Sequence, residues 1–319
     1  MSLRVLFMGT PAFAIPSLEA LLGSTHRLVG VVTQPPRPAG RGRRPRPSPV
    51  EELARKAGLT VLEPHRVDDP EFLEHVKSLC PDVAVVVAYG QILPSAVLEI
   101  PPLGCLNVHP SLLPRHRGAA PIPWAILAGD DLTGVSVIRM DLGLDTGPVL
   151  ASLSTPIGPQ EDARELSARL SVLGAKLLVE TLDGLSKGVV VAKPQEEQAA
   201  TCAPRLRKED GLIDWGQPAE RIWRQVRALV PWPTAHTTFR GKQVKILKAR
   251  PVPMEARETP GRIVRALGGS LWVATGRGLL EILELQPEGK PPMSAEAFIR
   301  GRRGLEGEAL GGAPGLPGR

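Results

Sequence analysis

MSLRVLFMGTPAFAIPSLEALL, residues 1–22, can be read as a hydrophobic leader or as the opening strand and helix of an α/β sheet. Its middle decides. Gly9, Thr10 and Pro11 break the apolar run, and Gly and Pro mark the points where a chain turns. LRVLFMG (3–9) is then a buried strand, and Pro16 to Leu22 belongs to the amphipathic helix that follows. A secretory signal would keep its apolar segment unbroken up to a small-residue cleavage site.

The same alternation continues outward from this unit. LVGVVT (28–33), DVAVVVA (82–88) and GCLNVH (104–109) read as buried strands, and Val50–Ala57, Glu71–Leu79 and Ala119–Ala128 as the helices among them. GVSVIRM (134–140) alternates like a strand with one wet face, PVLASLST (148–155) can pair with it as a hairpin, and a long helix follows over 163–182. Strands alternating with helices predict an α/β fold, a doubly wound and mostly parallel (Rossmann-like) sheet with a mixed edge after residue 134. We expect this domain to span residues 1–192.

Beyond it the text changes. KPQEEQAATCAPRLRKED is polar and aperiodic, so residues 193–208 are expected to be a basic linker. Residues 209–305 hold one helix near Ala219–Leu229 and the short strands TAHTTF, QVKILKA, GRIVRA, SLWVAT and LLEILEL, the pattern of a small β-barrel. The Gly- and Pro-rich end, 306–319, is expected to be disordered.

Composition narrows the function classes. The 319 residues are 42% hydrophobic and 23% charged, with a net charge of +6, the profile of a soluble globular chain with a mild attraction for polyanions. No run is long and apolar enough for a membrane span. Cys80, Cys105 and Cys202 are isolated and odd in number, which supports neither a disulfide framework nor a structural metal and fits a reducing, cytoplasmic setting. MGTPAF lacks the G-x-G-x-x-G pattern, so a nicotinamide cofactor is disfavoured.

NVHPSLLPRHRG (107–118) carries the chemistry. Residues at i and i+2 of a strand share a face, so Asn107 and His109 stand side by side at the carboxyl end of a central strand, where open α/β sheets bind ligands. An amide beside an imidazole suits an oxyanion formed in acyl transfer. No G-x-S-x-G elbow surrounds Ser111, so a serine nucleophile is not expected. In MDLGLDTG (140–147), Gly143 and Gly147 bracket Asp145 in a loop that can bring a carboxylate back to the sheet's carboxyl edge, there to orient His109 and favour its charged form. QPPRPAGRGRRPRPSP (34–49) sets Arg37, Arg41, Arg43, Arg44 and Arg46 among prolines and glycines, better suited to anion contact than to a core. Arg205, Arg207 and Lys208 in the linker, Arg221, Arg224 and Arg227 on the helix, and Lys242, Lys245 and Lys248 on a strand repeat the charge, as a long polyanion requires.

Taken together, MGTPAFA, QPPRPAGRGR, YGQILP (89–94), NVHPSLLPRHRGAAPI, MDLGLDTGPV, APRLRKEDGLIDW and PWP (231–233) make the chain resemble the methionyl-tRNA formyltransferase family nearly end to end. The resemblance implies transfer of a formyl group from 10-formyltetrahydrofolate to the α-amine of methionine on initiator tRNA, for translation initiation, with no metal, no membrane and no obligate protein partner. It implies that Asn107, His109 and Asp145 are catalytic. It further implies that Ser111, Leu112, Leu113 and Pro114 line a folate pocket, with Gln91, Ile92 and Leu93 reading the pterin. Arg37, Arg41, Arg43, Arg44, Arg46, Arg205, Arg207 and Lys208 would contact tRNA, and the barrel would be OB-like. Two positions depart from the family: an aromatic is usual where Cys202 stands, and often occurs near His236. The rival reading, a formyltransferase for a small amine, has no use for the arginine loop or the basic barrel.

Overall fold

The computed structural model describes residues 2–39 and 44–311, with the side chains of 37–39 and 44 left out. Through residue 186 the chain runs β1 (Arg4–Gly9), α1 (Ile15–Leu22), β2 (Arg27–Val32), β3 (Arg37–Ala39), β4 (Arg44–Arg46), α2 (Pro49–Lys56), β5 (Val61–Leu62), α3 (Pro70–Ser78), β6 (Val83–Val87), α4 (Ser95–Leu98), β7 (Cys105–His109), α5 (Pro121–Ala128), β8 (Leu132–Arg139), β9 (Val149–Pro156) and α6 (Ala163–Ser186). The main sheet has the order β5-β2-β1-β6-β7-β8-β9. Strands β5 to β7 are parallel, while β8 and β9 are antiparallel to their neighbours, which is the predicted mixed edge. From β1 the chain winds one way to β2 and β5, and then the other way through β6 and β7. The order therefore reverses between β1 and β6, and open α/β sheets bind ligands beyond the carboxyl ends of the strands at such a switch point.

Local chemistry explains the elements. Every residue of β6 is buried, so it reads as an unbroken apolar run, as strands covered on both faces do. Helices α2 and α3 start on Ser48 and Asp69, whose side chains accept from Glu51 N and from Glu71 and Phe72 N, each with a proline at the first helical position. The MGTPAF turn is a tight one. A Cβ on Gly9 would lie 2.9 Å from the Ala14 Cβ. Loops interlock above it: the Tyr89 carbonyl accepts from Thr10 Oγ1 and Gln34 Nε2, both at 2.9 Å.

Two compact units share the chain. The first is Met1–Pro121, Asp131–Pro156 and Ser167–Pro204; the second is Ile122–Asp130, Ile157–Leu166 and Arg205–Arg319. Residues 193–204 are thus no free linker. Lys193 and Val149 exchange both backbone hydrogen bonds at 2.8 Å, Arg117 N donates to Thr201 O at 2.8 Å, and Ala203 N donates to Arg117 O at 2.7 Å. The polar side chains of this stretch conceal a backbone that is paired.

The second unit holds α7 (Ala219–Ala228), β10 (His236–Phe239), β11 (Lys242–Val252), β12 (Ile263–Leu267), β13 (Ser270–Ala274), β14 (Leu279–Pro287), β15 (Met293–Ser294) and α8 (Ala295–Arg300). Its sheet is antiparallel with the order β10-β11-β14-β13-β12, and β15 lies on β14. Ile222 and Val226, one turn apart on α7, pack into a core with Ile246, Leu280, Ile282 and Phe298. The end of the chain is not disordered from 306 as expected. Leu310 bridges Phe239 of β10 and Ala309 bridges Arg262 beside β12, so this segment joins the sheet's two edges. Four backbone hydrogen bonds of 2.8–2.9 Å fix it, from Gly307 N to Ile263 O, Ile263 N to Glu308 O, Leu310 N to Gly261 O and Gly311 N to Thr238 O. Residues 312–319 lie outside the described residues. Among the described residues no helix is long and apolar enough to cross a membrane.

Candidate active site

Strand β7 buries Leu106 and Val108 and turns Asn107 and His109 to its other face. Asp145 joins them. Asn107 Nδ2 donates to Asp145 Oδ1 at 3.1 Å, and Asp145 Oδ2 accepts from Gly118 N at 2.9 Å and lies 3.5 Å from His109 Nδ1. The three side chains therefore form one cluster. Its approach differs from the expected one. Because β8 runs antiparallel to β7, with Arg139 opposite Leu106 and Ser136 opposite His109, the loop after β8 opens beside the amino-terminal half of β7. It reaches Asn107 and His109 by folding over the face of the strand.

That loop is tightly specified. Asp141 Oδ1 accepts from Gly143 N at 3.0 Å and Thr146 Oγ1 at 2.6 Å. Asp145 sits in the left-handed region at φ +56, a conformation that costs a non-glycine residue about 1–3 kcal/mol and persists only where its surroundings impose it. Gly147 is required sterically, since any Cβ there would overlap the Arg139 carbonyl oxygen.

His109 is 3% exposed. Its Nε2 lies 3.0 Å from the His116 carbonyl oxygen, so Nε2 carries a hydrogen and donates it. Nδ1 then faces the carboxylate. Burial lowers the pKa of the ring below the usual histidine value, and the Asp145 charge opposes that shift. A proton arriving on Nδ1 would find an anion waiting. Asn107 has an amide hydrogen to spare, since no hydrogen bond of its second Nδ2 hydrogen is seen among the described residues.

The other residues named from the sequence fall in distinct places. Ser111 is buried and its hydroxyl donates to Arg115 O at 2.6 Å, so it braces the turn. Leu112, Leu113 and Pro114 are half-buried, with Leu113 N donating to Ser136 Oγ at 3.2 Å. Gln91 Nε2 donates to Pro64 O and the Tyr89 hydroxyl at 3.3 Å, Leu93 is buried, and Ile92 is 90% exposed. Arg37 and Arg44 belong to the paired strands β3 and β4, and Arg46 is exposed; Arg41 and Arg43 lie outside the described residues. Arg205, Arg207 and Lys208 are exposed. Arg227 is spent internally, donating to the Gly158 and Glu161 carbonyls at 3.1 and 3.2 Å and stacking over Trp223. Among the described residues no cluster of His, Cys, Asp and Glu is arranged to hold a metal ion.

Sequence reasoning missed the residues that brace this cluster. Thr201 Oγ1 accepts from His116 N at 2.8 Å, and Gln195 Nε2 donates to the carbonyls of Asp145 and Gly147. Buried Arg117 pairs with Glu197 at 2.8 Å. The exposed Cys202 stands in a backbone bridge with Arg117, and His236 Nδ1 lies 3.0 Å from Thr234 O.

The chain, a Rossmann-like sheet bearing an amide, imidazole and carboxylate cluster and followed by an antiparallel β unit, belongs to the formyl transferase family. Residues 1–182 match that family, and residues 205–303 match its C-terminal domain. Within it the chain belongs to the methionyl-tRNA formyltransferases, enzymes that formylate methionyl-tRNA from a formyl donor. It is 50% identical over 309 residues to the methionyl-tRNA formyltransferase of Solibacter usitatus (97% of this chain, 99% of that one), and 49% identical over 312 residues to that of Pelobacter propionicus (98% and 97%). Among solved structures, HypX from Aquifex aeolicus in complex with tetrahydrofolic acid shares the fold at 18% identity and a TM-score of 0.64, over 94% of this chain and 47% of that one.

Proposed function

We propose that the donor is 10-formyltetrahydrofolate, the acceptor is the α-amine of methionine on initiator tRNA, and the reaction is direct amine attack at the Asn107, His109 and Asp145 cluster of a cytoplasmic enzyme. The observation that carries this reading is the convergence of Asn107 and His109 on Asp145, with one hydrogen of the Asn107 amide left over.

As the amine nitrogen bonds to the formyl carbon, the carbonyl oxygen gains negative charge. Asn107 donates its second Nδ2 hydrogen to that oxygen. A preorganised donor of this kind is worth roughly 10²–10³ in rate. His109 acts beside it through charge: its Nδ1 takes the proton that the attacking nitrogen releases, and the imidazolium so formed, held by Asp145, stabilises the oxyanion before the proton passes to the departing folate nitrogen. Asp145, directly or through water, helps to move the proton off the attacking nitrogen. The departing folate nitrogen takes up a proton as its bond to carbon breaks, so neither a metal nor a covalent enzyme intermediate is needed.

A folate fits the loops present. Ile92, Leu142 and Leu144 are 90%, 75% and 69% exposed. They stand on the loops after β6 and β8, where an aromatic ring would cover them. Leu112, Leu113 and Pro114 offer further apolar surface, and the backbone at Gln91, Ile92 and Leu93 supplies amide and carbonyl groups for the pterin. The tetrahydrofolic acid of the HypX complex supports the choice of donor. Arg37, Arg41, Arg43, Arg44, Arg46, Arg205, Arg207 and Lys208 are assigned to tRNA phosphates.

The test is formylation of charged initiator tRNA with 10-formyltetrahydrofolate. We expect robust product with the native enzyme and kcat losses of about 10²-fold or more in Asn107→Ala and Asp145→Ala. Native rates in both variants refute the assigned roles. Formylation of a free small amine without formyl-methionyl-tRNA refutes the acceptor.

A further inference from the structure

Beyond the hydrogen bonds within its own loop, Asp145 is held from outside it by Gln195. Gln195 Nε2 donates to Asp145 O at 2.8 Å and to Gly147 O at 2.7 Å, which uses both of its amide hydrogens. Its Oε1 accepts from Arg117 Nε at 3.0 Å. The amide is therefore fully engaged, and it cannot be turned over without setting oxygen against two carbonyls and nitrogen against a guanidinium. Arg117 is itself fixed, since its two terminal nitrogens donate to Glu197 Oε2 at 2.9 Å and Oε1 at 2.8 Å in a bidentate pair.

We infer that Gln195 is a positioning residue for formyl transfer, clamping the backbone on both sides of Thr146 so that the Asp145 carboxylate is delivered to Asn107 and His109. The inference rests on the catalytic role proposed above for Asp145. Its logic is geometric. The clamped carbonyl belongs to the residue that carries the carboxylate, and the neighbouring one belongs to Gly147, whose close approach to Arg139 leaves the loop no slack. Gln195 and Glu197 lie on a segment of the first unit whose backbone is paired within it, at Lys193, Thr201 and Ala203, so the clamp has a fixed anchor. Arg117 sits within the NVHPSLLPRHRG stretch, which places both ends of the clamp on the site's own framework.

The experiment compares Gln195→Glu, Gln195→Ala and Asp145→Ala in the full chain. Gln195→Glu keeps size and the pairing with Arg117 but turns a carboxylate toward two carbonyls. Displacement of a catalytic group by about 1 Å costs on the order of 10²-fold in rate. We expect kcat to fall by about that factor in Gln195→Glu and at least about 10-fold in Gln195→Ala. KM for the folate and the melting temperature should stay close to native. A structural brace alone would not move the second readout, the NMR titration of His109. It should shift to lower pH in both Gln195 variants as the carboxylate withdraws, toward its position in Asp145→Ala. Gln195→Ala introduces no charge and carries the test if Gln195→Glu does not fold. Native kcat and native His109 titration in the Gln195 variants, alongside an inactive Asp145→Ala, overturn the clamp alone. An active Asp145→Ala removes the premise, and the clamp with it.

Discussion

His109 shows how one buried ring is caught between solvation and charge. With Nε2 committed to the His116 carbonyl and Nδ1 facing Asp145, a second proton suits the hydrogen bonding but is penalised by burial. Its pKa in the folded protein lies below the usual histidine value. Between those two values the unfolded chain binds more protons than the native one, so this residue's contribution to stability is complete above about pH 6.5 and declines as pH falls toward the folded value. We expect the urea midpoint to drop between pH 7.5 and 5.5, and the drop to shrink in His109→Gln; equal drops in the two proteins contradict this. Asp145→Asn removes the opposing anion, so it should move the His109 titration further down, as read by imidazole proton shifts. That Asn107, His109 and Asp145 would meet was legible because two of them are strand neighbours and the third sits in a short glycine-bracketed loop. Gln195, Arg117 and Glu197 were not. Their hydrogen bonds link residues 48 to 80 positions apart, and nothing in one chain's local pattern marks such pairs.

At the level of elements, the strands that position the cluster were visible in the hydrophobic pattern, with the unbroken apolar β6 the plainest, but β8 lacks the expected wet face: Thr133 to Ile138 are all buried, because the strand lies inside the sheet between β7 and β9. Orientation was harder to read. The direction of β8 follows from its pairing, and that direction moves the Asp145 loop from the sheet's rim to its face. Gly147→Ala should confirm how little freedom this loop has, with kcat lowered by about 10²-fold and melting temperature by only a few degrees; a native rate would mean that the loop relaxes. Within the arginine segment, Arg37–Ala39 pairs with Arg44–Arg46, a pairing that composition did not announce. If it binds tRNA, Arg44→Glu with Arg46→Glu should weaken that binding and reduce the slope of log K against log salt by about 0.7–0.9 for each phosphate no longer neutralised. Folate binding should hold. Equal damage to both substrates would make the segment part of the fold's support.

Over the whole molecule, the chain forms two compact units whose segments interleave, where the sequence suggested consecutive blocks. The polar stretch at 193–204 and the glycine-rich end both looked unstructured, because composition reports side chains while these segments are held through backbone hydrogen bonds. Leu310 is the exception, an apolar side chain 6% exposed in the core of the second unit. Leu310→Ala should cost about 2–5 kcal/mol of that unit's stability by denaturant unfolding, and a loss under about 0.5 kcal/mol would show that the closing segment is ornamental. The way the sheet's edges meet also sets an order of events during synthesis. Every segment of the first unit has left the ribosome's catalytic centre before residue 205 is added, whereas the edges of the second wait for residues 307–311. Until then its strands β10 and β12 present bare backbone to their surroundings, so a nascent chain stalled late in translation should be the form most prone to aggregate.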